Sequence, residues 1–256
     1  MTAAALDFTT AGAPASRSHQ LSAQIAMELR LLLRNGEQLL LTIVIPTVLL
    51  VLFTSAPIAD LPKPRIDFLV PGVLALAVMS TAFTGQAIAT GFERRYGVLR
   101  RVGTTPLPRS VLVTAKTFGV LAVEVLQVAL LCLVGLAEGW SPHGNPGAVL
   151  GLLVLGTLAF STLGLLMAGT LRAEATLASA NLVYLLFLVL GGVAFPLTDF
   201  SDGVRHVLEL LPISALTGGL RIILRADGSV PLHDWLVLVI WTVVAGVAAA
   251  RWFRWE

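Results

Sequence analysis

The residues whose types and spacing could do chemistry cluster first in Phe92 to Lys116, FERRYGVLRRVGTTPLPRSVLVTAK. This stretch sets Arg94, Arg95, Arg100, Arg101, Arg109 and Lys116 against one acid, Glu93, and so holds six of the chain's seventeen basic residues. Such a stretch makes and breaks no bonds; it anchors. Lys and Arg beside a membrane span stay on the cytoplasmic side, and they can also hold anionic lipid head groups. Glu93 to Val102 contains no helix breaker except Gly97 and is expected to form one short helix near the membrane surface. Pro106 then stops it, because proline lacks a backbone donor and pushes Thr105 out of the helical region.

Catalytic constellations are hard to find elsewhere. No G-x-x-x-x-G-K-[ST] occurs, since Lys116-Thr117 follows Thr114-Ala115 without a glycine loop, and no LSGGQ-like segment occurs either. His19, His143, His206 and His233 are too scattered for a metal-ligand motif, and no G-x-S-x-G elbow is present. Asp199, Asp202 and His206 have a D-x-x-D-x-x-x-H spacing that a lipid-modifying transferase could use, but they sit on a short segment with no second cluster. The single cysteine, Cys132, lies in an apolar run and reads as packing. Glu124 is the one formal charge inside an apolar core, with Gln127 three residues on and within reach for a hydrogen bond. A charge there costs about 2.5–3.5 kcal/mol on insertion scales, so Glu124 should face protein or water. It serves either a packing hydrogen bond or a substrate or proton contact, and packing is the preferred reading.

The elements that must carry these residues follow from composition. The chain has 256 residues, 56% hydrophobic and 12% charged, with mean hydropathy +0.87. Its apolar runs are long enough to cross about 30 Å of hydrocarbon, which predicts an all-α polytopic membrane protein. A sequence pI near 9.1 could suggest nucleic acid, but the basic residues flank spans, so no nucleic-acid partner is expected. Residues 1–17 form an Ala/Thr-rich tail that requires no order. Residues 18–38 have an amphipathic pattern, with Leu21, Ile25, Ala26, Leu29, Leu32 and Leu33 opposite Gln24, Arg30, Arg34, Glu37 and Gln38, and Glu28 misplaced on the apolar side. That helix is expected to lie in the inner interface.

A six-helix transmembrane domain is expected over 39–256, with spans near 39–56, 68–92, 111–136, 147–171, 175–195 and 235–250. With both termini inside, twelve basic residues fall in the cytoplasm and five (Lys63, Arg65, Arg205, Arg221 and Arg225) fall outside. Trp140, Trp235, Trp252 and Trp255 lie at predicted span ends, as amphipathic indoles do. Gly164 and Ala168 form a small-xxx-small pair that permits close helix approach. Between the last two spans, 204–211 and 215–224 read as short helices, the first ended by Pro212 and neither long enough to cross. They are expected to be re-entrant or to lie on the extracellular side.

The run Glu93-Arg94-Arg95-Tyr96-Gly97-Val98-Leu99-Arg100-Arg101, followed by Thr105-Pro106, resembles the signature of the ABC-2 family of transporter permeases, with Val98 where that family usually has Thr. Gly191-Gly192-Val193-Ala194-Phe195-Pro196, then Leu211-Pro212 and Leu220-Arg221, resembles the way such permeases end their fifth span and build an extracellular helical pair. Drug-export permeases of the daunorubicin-resistance type look closest. The resemblance implies a bacterial cytoplasmic-membrane exporter subunit, associated with antibiotic resistance, that works as a dimer with a second copy or a homologous permease chain. It implies a separate P-loop ATPase subunit that binds ATP and Mg, this chain binding no cofactor. It assigns Glu93, Arg94, Arg95, Tyr96, Gly97, Leu99, Arg100 and Arg101 to the coupling helix that meets the ATPase, with Tyr96 and Leu99 filling a groove on it. It also suggests Gln86 and Asn181 for the pathway of a drug, lipid or glycolipid; the aromatic rings of Tyr184, Phe187 and Phe195 could contact an apolar ligand there or face lipid or core. A passive channel or scaffold is the rival reading, and the transferase a weaker one.

Overall fold

The computed structural model describes residues 15–55, 64–225 and 231–254, apart from the side chains at 37, 38, 41 and 109. Most of the N-terminal tail, Asp60, Lys63, Asp227 and Trp255 lie outside the described residues. The described chain is helical throughout its regular elements. Helix α1, Arg17–Arg34, begins where the Ser16 hydroxyl accepts from the His19 N–H at 3.4 Å. It stops at Asn35, whose ψ of 69° leaves the helical region, so the amphipathic segment ends short of 38. Helix α2, Gly36–Ser55, follows with Pro46 inside it.

Helix α3 (Arg65–Val78), a π-helical stretch (Met79–Gly85) and helix α4 (Gln86–Arg95) run on as one element of 31 residues. At 1.5 Å per residue it is about 46 Å long, enough to cross a bilayer and project beyond it. It is the innermost span, with α3 buried from Phe68 to Val78. A π stretch widens the turn and leaves the ladder out of its usual register, a feature frequent at functional sites. Helices α5 (Val98–Gly103), α6 (Arg109–Ala137), α7 (Pro146–Thr170) and α8 (Ala173–Leu190) follow. The Asn145 side chain caps α7 by accepting from Gly147 N–H at 2.8 Å, and Pro146 occupies its first turn.

Helix α8 ends at Leu190, before the predicted 195. Gly191 and Gly192 follow it, and Gly192 has φ +71°, a conformation that glycine adopts without penalty. Beyond a short 3-10 turn, helices α9 (Asp202–Leu208) and α10 (Pro212–Ile223) meet at 94°. Pro212, expected to end the first of these helices, instead opens α10 four residues after α9 stops at Leu208, a position where its missing N–H costs nothing. Helix α10 is a core element, with Ile213, Leu216 and Leu220 fully buried. Helix α11, Leu232–Trp252, closes the fold.

Among the described residues, five elements are long and apolar enough to cross a membrane, and the bent pair α9–α10 makes up to six. Helix α2, Gly36–Ser55, is a further helix of 20 residues, apolar from Thr42 to Ser55 among the described positions. The core lies between α3, the π stretch, α7 and α10, around Phe160, Leu74, Met79, Leu152 and Leu216. Glycines on α7 set how closely its neighbours approach. A Cβ on Gly164 would come within 2.9 Å of the Phe83 carbonyl in the π stretch, and one on Gly156 within 2.9 Å of Leu216. Ala168 is fully buried, so the small-residue face of α7 is a packing face.

Candidate functional site: the arginine-rich turn

The helix expected over 93–102 is two helices. Helix α4 carries on to Arg95, and α5 starts at Val98 after Gly97, whose φ of +71° turns the chain. Only glycine enters that region without a Cβ penalty, which explains its place in the motif. No side chain caps α5, and Val98 at its first position offers no hydroxyl.

Three groups of contacts hold the turn to the bundle. Lys116, seven residues into α6, is buried; its Nζ lies 2.7 Å from Glu93 Oε2 and donates to Glu93 Oε1 at 2.8 Å. The same ammonium donates to Glu28 Oε2 of α1 at 3.3 Å, and Gln24 Nε2 donates to the other Glu28 oxygen at 3.0 Å. The α1 backbone can come this close because Gly119 faces it, where a Cβ would sit 3.3 Å from that of Glu28. Arg94 Nη2 donates to the Leu171 carbonyl at the end of α7, where the helix dipole favours a cation. Arg95 pairs with Glu174 in the first turn of α8 and lies 6.0 Å from the Tyr96 ring centroid. The Tyr96 ring stacks on Phe92 at 6.0 Å. The described C-terminus returns to this end, with Arg254 N–H donating to the Gly169 carbonyl at 3.0 Å.

These contacts divide the eight motif residues. Glu93 and Arg94 turn inward, and Leu99, expected to fill a groove on a partner, is 2% exposed within its own chain. Tyr96, at 67% exposure, projects outward with Arg100 and Arg101. The turn is therefore a braced knob with an aromatic tip and two free-facing guanidinium side chains. Its bracing partners, Lys116, Glu28, Glu174 and the Leu171 carbonyl, are the residues that motif reading overlooked. A trace of them was visible: Glu28 sits on an apolar face, and Lys116 sits inside an apolar helix. Opposite charges, each out of place in its own pattern, mark a pair.

The other candidate residues do not converge on one locus. Gln86 is buried on α4, with neither amide atom given a partner among the described residues. Asn181 is exposed on α8 and donates to its own Leu177 carbonyl at 2.9 Å. Tyr184 and Phe187 are half-buried against the core. Glu124 and Gln127 do not bond to each other as expected, because each has a neighbour on a different helix. Thr157 of α7 donates to Glu124, whereas Gln127 accepts from Thr81 in the π stretch at 3.0 Å and donates to the Thr42 carbonyl of α2 at 2.7 Å. These polar contacts knit α2, α6, α7 and the π stretch together. Cys132 is half-buried against the core. His206 Nδ1 lies 2.6 Å from the backbone oxygen of Asp202, and no group of three metal-ligating side chains occurs among the described residues.

This arrangement agrees with what the chain is similar to. A protein of Bacillus subtilis (strain 168), YvfS, provisionally named a transport permease, is 23% identical over 228 residues, covering 88% of this chain and 93% of its own. Residues 65–251, from the start of α3 into the last turn of α11, match the family described as ABC-2 family transporter protein. With several apolar spans and that match over most of its length, the chain is a multi-pass membrane protein that belongs to the ABC-2 transporter family.

Proposed function

We propose that this chain is the permease subunit of an ATP-driven exporter in the bacterial cytoplasmic membrane, with both termini and the arginine-rich turn in the cytoplasm. A separate P-loop ATPase subunit holds ATP and Mg and grips the turn. Two copies, or one copy and a homologous chain, form the pathway for a hydrophobic or amphipathic molecule such as a drug or lipid. The observation that carries this reading is the braced knob: exposed Tyr96 stands on a base fixed to α1, α6, α7 and α8. A surface meant only to hold lipid head groups needs charge but no such bracing. A lever needs both.

The route for a push is supported by continuity. The turn ends the 31-residue element Arg65–Arg95, so displacing it moves a rod that spans the bundle. Its π stretch and the buried polar contacts of Gln127 and Thr81 lie partway along, where a helix can repack between two arrangements. Arginines at the contact would set orientation and association rate as much as affinity.

The test is to purify the chain from its native host and ask whether a P-loop ATPase accompanies it, then to measure ATP hydrolysis by the reconstituted pair. Hydrolysis that depends on an intact turn supports the reading. Labelling that finds a cysteine at position 100 accessible only from outside the cell overturns it, as does transport with no ATPase present.

A further inference from the structure

Away from the turn, at the other end of the 31-residue rod, a cavity of about 710 Å³ opens between the first turn of α3, the α6–α7 connection and the α9–α10 pair. Arg221 of α10 lines it in a fixed pose. Its guanidinium lies over the Phe68 ring, 3.5 Å from the centroid, while Nε donates to the Phe68 carbonyl at 3.2 Å and Nη2 to the Val193 carbonyl at 3.4 Å. Gly72 makes room for this pose, since a Cβ there would sit 3.2 Å from Arg221 Nη2. A guanidinium has five N–H donors, so two bonds to neutral carbonyls leave three unused. Among the described residues, no carboxylate oxygen lies within 4.0 Å of Arg221.

Arg225, four residues on, lines the same cavity, is exposed, and among the described residues has no carboxylate within that distance either. Arg205 also lines the space but is taken by Glu209 at 2.7 Å. Asp67 is the remaining acid in the described wall, so among the described residues two arginines without a carboxylate partner face one carboxylate. Phe68, Trp140, Leu197 and Ile222 supply apolar surface beside these charges.

Two guanidiniums facing one space repel each other, and an anion between them removes that cost. A guanidinium held flat by a ring presents its N–H edge in a plane, the geometry that grips two oxygens of one phosphate. We propose that this cavity binds a net-negative phosphate group, carried by a lipid head group or free in solution, between Arg221 and Arg225. The apolar wall takes the adjoining glycerol and acyl carbons when the phosphate belongs to a lipid. The site does not depend on an ATPase gripping the turn, so it stands or falls separately from the exporter reading.

The experiment titrates the full-length protein, in a neutral maltoside detergent, with short-chain phosphatidylglycerol, short-chain phosphatidylcholine and inorganic phosphate. Binding is read by calorimetry and by the unfolding midpoint. Wild type is expected to bind phosphatidylglycerol about tenfold or more tighter than phosphatidylcholine, whose choline cation opposes the arginines. Arg225→Gln, at an exposed position, is expected to remove most of that preference without disturbing the fold. Arg221→Lys keeps the charge, loses the planar fork, and is expected to weaken binding as well. Inorganic phosphate bound in an Arg225-dependent way identifies the phosphate itself as the ligand. Arg225-dependent binding of phosphatidylglycerol alone identifies a lipid head group. Equal binding of both lipids by wild type together with no Arg225-dependent binding of inorganic phosphate overturns the proposal, as does a lipid preference that survives in both variants.

Discussion

Lys116 of α6 reaches Glu93 at the foot of the arginine-rich turn, with Nζ 2.7 Å from Oε2. The same ammonium meets Glu28 of α1 at 3.3 Å, so one cation joins three elements. Both the lysine and Glu28 are buried, with side chains 7% and 9% exposed, so solvent screens the interaction little. This contact turns the knob from a loose basic loop into a part of the bundle.

Lys116→Met should therefore destabilise the protein by about 3–5 kcal/mol, because it leaves one buried and one half-buried carboxylate without their cation. Chemical unfolding in detergent measures the loss. The triple variant Lys116→Met, Glu28→Gln, Glu93→Gln should recover much of it, since a buried ion cluster replaced by uncharged groups of similar size is often near neutral. If Lys116→Met alone unfolds like wild type, the brace carries no energy.

Tyr96→Ala tests the knob while leaving the ion pairs and hydrogen bonds of the brace in place. At 67% exposure its removal should change stability by roughly 0.5 kcal/mol or less. ATP hydrolysis by the reconstituted complex should fall by about tenfold or more if the ring anchors a partner. Leu99→Asp will behave differently, because that side chain is 2% exposed. It buries a carboxylate with no cation provided, so it should lower the unfolding midpoint and lose activity together. Activity lost in Leu99→Asp with full stability would mean that Leu99 swings out to meet the partner.

The sequence carried the number of apolar elements well, because hydropathy over about 20 residues is a strong signal. Span ends were less legible where glycine geometry decided them. Gly97 and Gly192 both adopt φ +71°, and neither turn follows from composition. The bend between α9 and α10 was legible from Pro212, but the depth of α10 was not, since Ile213, Leu216 and Leu220 look alike on an interfacial helix and in a core. The arginine-rich turn was found by its residues, and its brace was missed because Glu28, Glu93 and Lys116 are far apart in the chain. Glu124 and Gln127 share a helix face, yet each found a partner on another helix, which spacing alone does not encode.

Gly164→Ala should cost about 1–3 kcal/mol in unfolding, because its Cβ would meet the Phe83 carbonyl at 2.9 Å and backbone in a π stretch cannot shift freely. Gly203→Ala, on α9 with nothing within 4 Å, is the control and should stabilise slightly, by up to about 1 kcal/mol of helix propensity. Equal behaviour of the two would show that α7 and the π stretch are not in contact in the membrane.

Glu124→Gln separates a packing role from a chemical one. Thr157 donates to Glu124 Oε2, while Oε1 is buried with no partner among the described residues. The amide oxygen of glutamine can accept the same Thr157 proton at the same position, so a packing role predicts a stability change of about 1 kcal/mol or less and intact transport. Glu124→Leu removes the acceptor, but the Thr157 hydroxyl also lies 2.9 Å from its own Leu153 carbonyl, so it keeps a partner. Both variants should thus stay folded, and only their transport rates discriminate. Normal export by Glu124→Gln and Glu124→Leu assigns the carboxyl to helix packing. Loss of export in both, with unfolding midpoints unchanged, assigns it to the moving substrate or to a proton instead.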